Sequence, residues 1–263
     1  MSAPVLEATA LRKSYRGRRV LDGIDLEMPH GETLVILGPS GCGKSTLLRC
    51  LVGLERPDQG VVRLQGVDLF DADTRTLAGL RERIGMTFQG GALFGSMTLA
   101  GNIDMPLSEY TRLPRSTRRI IARIKLGTVG LEDALDRYPS ELSGGMRKRA
   151  ALARAMALDP KILFCDEPSA GLDPITAASL DQLLNRLKRV FDVTLLVVTH
   201  EMASAFAIAD RISMMHEGKI RICGPPEEVR ASQDPVVRRF LDRVPRDSPG
   251  GEAGRGMFDR GEE

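Results

Sequence analysis

The segment LVILGPSGCGKSTLLRCL runs from an apolar strand pattern, through Gly38, Gly41 and Gly43, into a helical pattern. Glycines let backbone N–H groups close around an anion, and the start of a helix adds partial positive charge. Lys44 can reach β- and γ-phosphate oxygens, and the Ser45 hydroxyl can face magnesium. The G-x-x-x-x-G-K-S/T pattern and its strand–turn–helix setting agree, so the bland alternative of a glycine-rich connecting turn is set aside. Ser40, Gly41, Cys42 and Thr46 complete the expected phosphate-binding loop, with Cys42 read as a small space-filler rather than a reactive thiol.

A second chemical constellation closes the apolar run KILFCDE (161–167) with adjacent acids, Asp166 and Glu167. Neighbouring residues at a strand end point apart, so separate tasks are expected: Asp166 holding magnesium and Glu167 acting on water as general base. Their strand is expected to lie beside the phosphate loop. His200 ends the run VTLLVVTH (193–200), at the carboxyl edge where open α/β sheets bind ligands, and is assigned a γ-phosphate contact. Gln89, after the strand-like GMTF, could reach magnesium or the attacking water. The chain has no Trp and 3 Tyr, which leaves Tyr15 as the candidate platform for a nucleotide base.

These residues need a scaffold, and the alternation of short apolar runs with helical patterns predicts one: a parallel sheet covered by helices on both faces, an α/β fold. Two strand pairs read as antiparallel, LEATALRKSY with LDGIDLEMP, and RISMMHEGKIRICG with Glu217-Gly218 as its tight turn. They predict a side sheet or edge. Between Gln89 and Pro160 the pattern turns helical. The predicted division is 1–89 and 159–244 for the nucleotide-binding core with its β subdomain, 90–158 for a helical insertion, and 245–263 for a flexible polar tail interrupted by Met257-Phe258.

The 263 residues carry 37 basic and 35 acidic side chains, a net charge of +2, so no global field recruits nucleic acid or an anionic membrane. Cys42, Cys50, Cys165 and Cys223 form no C-x-x-C pair, which argues against zinc and disulfides and for a reducing cytosol. The N-terminus shows no apolar core of a signal peptide and no stretch suits a membrane span, so the expected location is cytoplasmic, with membrane association only through a partner.

One stretch remains, ELSGGMRKRAALARAM (141–156): hydroxyl, backbone amides and a basic helix, but no clamping lysine. Arg147, Lys148 and Arg149 are read as a solvated helix face. With this stretch added, the chain from about Leu6 to Leu241 resembles the ATP-binding-cassette (ABC) ATPases: GPSGCGKST as Walker A, Gln89 as the Q-loop, LSGGM as the signature, ILFCDEP as Walker B, SAGLD as the D-loop and His200 as the switch histidine. The resemblance implies a P-loop NTPase with a RecA-like core that uses ATP and Mg²⁺. It also implies head-to-tail homodimers in which Ser143, Gly144, Gly145 and Asp173 of one chain complete the site of the other. Met146 stands where the family most often has glutamine, a change that spares the backbone donors.

The stretches FQGGALFGSMTLAGNIDMPL and DEPSAGLDPITA are further similar to the ATPase subunits of Mla-type lipid transporters. That likeness implies a peripheral subunit on the cytoplasmic face of the inner membrane, bound to permease subunits and served by an MCE-domain lipid-binding protein. Ala92, Leu93, Phe94 and Met97 are then the expected permease groove. The alternatives are an importer ATPase for another small solute, or a cassette acting on ribosomes or DNA; the latter lacks support in the near-neutral charge and the absence of coiled-coil arms. A P-loop kinase or GTPase leaves LSGGM with His200 unexplained.

Overall fold

The structure, a computed structural model, describes residues 4–243. The expectations for 245–263, including Met257-Phe258, fall outside the described residues. In chain order the elements are β1 (Leu6–Tyr15), β2 (Arg18–Met28), β3 (Thr33–Leu37), α1 (Lys44–Leu51), β4 (Gln59–Leu64), β5 (Val67–Asp68), α2 (Thr74–Arg81) and β6 (Ile84–Thr87). Then follow α3 (Leu99–Tyr110), α4 (Arg115–Thr128), α5 (Gly144–Ala155), β7 (Ile162–Asp166), α6 (Pro174–Phe191), β8 (Thr194–Thr199) and α7 (Met202–Ile208). The hairpin β9 (Arg211–His216) and β10 (Lys219–Gly224), with α8 (Pro226–Ala231) and α9 (Pro235–Leu241), completes the described chain.

A six-stranded sheet in the order β10-β9-β3-β8-β7-β6 carries the site, and all its pairings are parallel except β10 with β9. Its central strands are apolar on both faces because both faces are covered. Leu34 and Ile36 pack with α1 and the strands β1, β2 and β4, whereas Val35 and Leu37 pack with helices α3 to α7. Two cores therefore share one sheet. The second sheet, ordered β2-β1-β4-β5, is antiparallel and amphipathic.

The RISMMHEGKIRICG hairpin is the edge of the six-stranded sheet rather than part of the side sheet. Both of its turn residues take positive φ, 47° at Glu217 and 76° at Gly218, the twist that suits a tight hairpin. The span between Gln89 and Pro160 holds α3, α4 and α5, with two short 3-10 turns between α4 and α5.

Candidate functional site: a phosphate loop and its carboxylates

β3 ends at Leu37 and α1 begins at Lys44, so residues 38–43 form the loop between a buried strand and a helix start. Gly43 turns the chain into the helix at φ 108°, and a Cβ there would lie 2.7 Å from the Val20 carbonyl oxygen. Only glycine fits. Cys42 is buried and packs within the loop, and burial pushes its thiol up from its ordinary value, as a filler rather than a nucleophile requires. The Lys44 ammonium, itself buried, donates to the carbonyls of Gly38 at 2.9 Å and Pro39 at 3.1 Å. Thr46 is buried in the first turn of α1, where its hydroxyl accepts from Arg49, while Ser40 and Gly41 lie on the loop outside it.

The acidic strand ends beside the phosphate loop, as expected, although it is not the next strand to β3 in the sheet. β8 lies between β3 and β7, because β3 pairs with β8 and β8 with β7. The carboxylates still arrive at the loop, since the Ser45 hydroxyl donates to Asp166 Oδ1 at 3.4 Å. Burial, and then the like charge of Glu167, raise the Asp166 pKa above its ordinary value. A hydroxyl and one carboxylate are hard oxygen donors of the kind that hold Mg²⁺ together with substrate phosphates, and among the described residues no cluster of three His, Cys, Asp or Glu competes for a metal.

Glu167 follows β7 in the left-handed region, φ 49°, a conformation that costs about 1–2 kcal/mol for a residue with a Cβ. Its amide donates to the Val198 carbonyl, which ties the turn to β8. The side chain is buried and held from two sides: Lys44 Nζ lies 3.8 Å from Oε1, and His200 Nδ1 lies 2.9 Å from both oxygens. The His200 backbone amide also donates to Oε2 at 3.3 Å. With Nδ1 engaged, the half-exposed imidazole keeps Nε2 for a second partner.

Gln89 follows β6, beside β7, and is exposed. Tyr15 ends β1; its hydroxyl donates to Glu55 and the Lys13 ammonium sits 5.7 Å over its ring, so one face is already covered. Ser143 caps α5, its Oγ accepting from the Met146 amide at 3.3 Å, and Ser143 and Gly144 are exposed. Gly145 is buried against α6, and a Cβ there would lie 2.7 Å from Thr176 Cγ2. Asp173 caps α6 by accepting from the amides of Ile175 and Thr176. Among the described residues no hydrogen bond joins Ser143, Gly144 or Gly145 to the loop 38–46 of the same chain.

The basic face of α5 is not simply solvated. Lys148 is half-buried and its ammonium donates to two carbonyls, those of Gln89 and of Glu167 (3.1 Å). Arg147 donates to the Leu142 carbonyl at 2.7 Å. Neither role shows in a sequence pattern, because the acceptors are backbone atoms, which carry no residue identity. Arg154 likewise holds the carbonyls of Ala92 at 2.6 Å and Gly91 at 3.3 Å. Asn102, fully enclosed, takes the Phe94 amide on its Oδ1 and donates to the carbonyls of Phe94, Met97 and Thr98. That loop presents Phe94 and Met97 at 40% and 39% exposure, while Leu93 turns back onto the core.

Loop, carboxylates and flanking helices define a P-loop nucleotide-binding cassette. Residues 21–170 match the ABC transporter family. The chain is 43% identical over 237 residues to the probable ribonucleotide transport ATP-binding protein mkl of Mycobacterium leprae, covering 90% of this chain and 68% of that relative. It is 42% identical over 230 residues to the intermembrane phospholipid transport system ATP-binding protein MlaF of Escherichia coli K12, covering 87% of this chain and 86% of the relative. A solved dimer of the ATP-binding cassette MJ0796, in a post-hydrolysis state with ADP and Pi, superposes with TM-score 0.77 at 31% identity, covering 84% of this chain and 98% of that one. The chain belongs to the ABC transporter family, as one of its ATP-hydrolysing cassettes.

Proposed function

We propose that the chain is the ATPase subunit of a phospholipid transporter, working as a head-to-tail homodimer beneath permease subunits on the cytoplasmic face of the inner membrane. The observation that carries the cargo class is the 42% identity to MlaF over matching lengths of both chains. No helix among the described residues is long and apolar enough to cross a membrane, and the proposed attachment is through the permease subunits. The apolar side chains Phe94 and Met97, held outward by Asn102, are the proposed permease contact, and an MCE-domain protein the proposed lipid carrier.

ATP with Mg²⁺ suits the donors present. The loop amides and Lys44 would hold the phosphates, Ser45, Asp166 and Gln89 would hold the metal, which when bound would offset charge on the phosphates, and Tyr15 would stack against the base. Lys44 and His200, both now on Glu167, exchange that carboxylate for phosphate oxygens when nucleotide enters. Glu167 is then free to take a proton from water as the water oxygen attacks the γ-phosphorus and the bond to the β-phosphate oxygen breaks. Ser143, Gly144 and Gly145, unattached to their own loop, offer a helix N-terminus to the partner's γ-phosphate, and Asp173 lines the same seam. The helical part, 90–158, thereby acts on the nucleotide held by the core, 1–89 and 159–244, of the other copy.

The test is to purify the full chain with its permease from membranes and analyse bound lipid, alongside Phe94→Asp. Phospholipid in the complex, lost with the permease in the variant while ATP binding persists, is expected. A complex that carries ribonucleotide cargo and no phospholipid moves the cargo to that of mkl, and intact assembly of Phe94→Asp removes the groove.

A further inference from the structure

A buried acid with no place in this chemistry lies on α6. Asp181 is 6% exposed and its Oδ1 has no hydrogen-bond partner. Ser204 on α7 shares a cavity wall with the carboxyl, and its Oγ donates to Ser169 Oγ at 3.3 Å; both serines are buried. Ser169 stands two residues after Glu167, and Ser204 four after His200. The polar chain Asp181–Ser204–Ser169 therefore joins the two segments that leave the base and the histidine.

The same carboxyl lines a cavity of about 840 Å³ that also reaches His200. The other charged or titratable groups on its walls are Glu201 beside α7, and Arg239 and Arg243 on and after α9; α6 itself adds only the neutral Gln182 and Asn185. Burial, with a smaller push from Glu201 and against the Ser204 hydroxyl, raises the acid to about 6. Loss of a proton near neutrality places a negative charge in an enclosed site beside a second carboxylate.

We propose that Asp181 is a proton-linked positioning residue, whose charge sets the direction of the Ser204–Ser169 hydrogen bond and with it the seating of the Glu167 and His200 segments. A neutral carboxyl donates to Ser204, and Ser204 donates to Ser169. A carboxylate can only accept, so the Ser204 hydroxyl turns to it and Ser169 must donate back. Water drawn to the charge through the cavity loosens α7 against α6. The proposal rests on the catalytic reading of Glu167.

The test is the pH dependence of ATP turnover, between pH 5.5 and 8.5, by the full chain in its membrane complex. Asp181→Asn keeps the size and fixes the neutral state. Its kcat relative to wild type should be near one at pH 5.5 and rise through a midpoint near 6 to roughly three- to tenfold above pH 7, with KM for ATP unchanged. In a Ser204→Ala background the Asn substitution should no longer alter the profile. A ratio flat with pH, or one that bends equally without Ser204, overturns the proposal; a purely structural role would move thermal stability and leave the ratio flat. Should Asp181→Asn fail to fold, the carbon-13 titration of the Asp181 carboxyl and the profile of Ser204→Ala decide alone: a midpoint near 6 in wild type and loss of the bend in the variant are required. Turnover by Glu167→Gln counts against the base assignment, whereas a flat ratio with Glu167→Gln inactive counts against Asp181.

Discussion

His200 Nδ1 stands 2.9 Å from each carboxylate oxygen of Glu167, a two-oxygen grip that orients the acid before any nucleotide chemistry. An amide at 167 has the same shape but cannot accept a proton from water. Glu167→Gln should lower kcat by about 10²- to 10⁴-fold while keeping ATP affinity, and should accumulate an ATP-bound dimer measurable by light scattering. Turnover at the wild-type rate would remove Glu167 from the base role.

Lys148 spans two carbonyls that no other side chain among the described residues serves, those of Gln89 and Glu167. Lys148→Met keeps the length and removes the donors, leaving the Glu167 carbonyl to the Ala170 amide and the Gln89 carbonyl to water. The expected result is a loss of about 2–3 kcal/mol in unfolding free energy, and slower single-turnover hydrolysis with ATP binding little changed. Unaltered hydrolysis would reduce the lysine to a scaffold.

Gly145→Ala tests the contact between the starts of α5 and α6. The added Cβ would press on Thr176 Cγ2, and overpacking of this sort costs about 1–3 kcal/mol. ATP-induced dimerisation in the Glu167→Gln background should weaken, and Thr176→Ser, which deletes the methyl and keeps the hydroxyl, should restore it. Failure of the second change to restore it would place the defect elsewhere.

Asp181 also makes a prediction for stability. Its folded pKa lies above the ordinary value of 3.8, at about 6, so the fold favours the protonated acid. That stabilisation is complete below the unfolded value and disappears as pH rises through about 6. At 1.36 kcal/mol per pH unit the span from 3.8 to about 6 corresponds to roughly 3 kcal/mol. Thermal unfolding should show Asp181→Asn equal to wild type near pH 4 and several degrees more stable at pH 8. Parallel melting curves across that range would contradict a buried, titrating acid.

The phosphate loop was legible because its chemistry is local: residues 38 to 46 are contiguous, and the apolar run before them must be a strand buried on both faces. The same holds for Asp166 and Glu167 at the end of β7 and His200 just past β8. Strand order was not legible, since short apolar runs do not say which pairs with which; nothing in the sequence places β8 between β3 and β7. Lys148 reads as solvated and Asn102 carries no signal in the sequence because their partners are backbone atoms, which carry no residue identity. No residue type or spacing in the sequence marks Asp181 out; its enclosure depends on how α7 packs on α6.

Thr176 against Gly145 leaves no slack between the tip of α5 and the tip of α6. In a pair of chains crossed head to tail, each tip of α5 would rest on the other chain's triphosphate. Pushing on one would tilt the adjoining Asp173 turn at the seam, and the seam is common property. The two helix tips would then travel as one piece, and a push on either would be felt at the other.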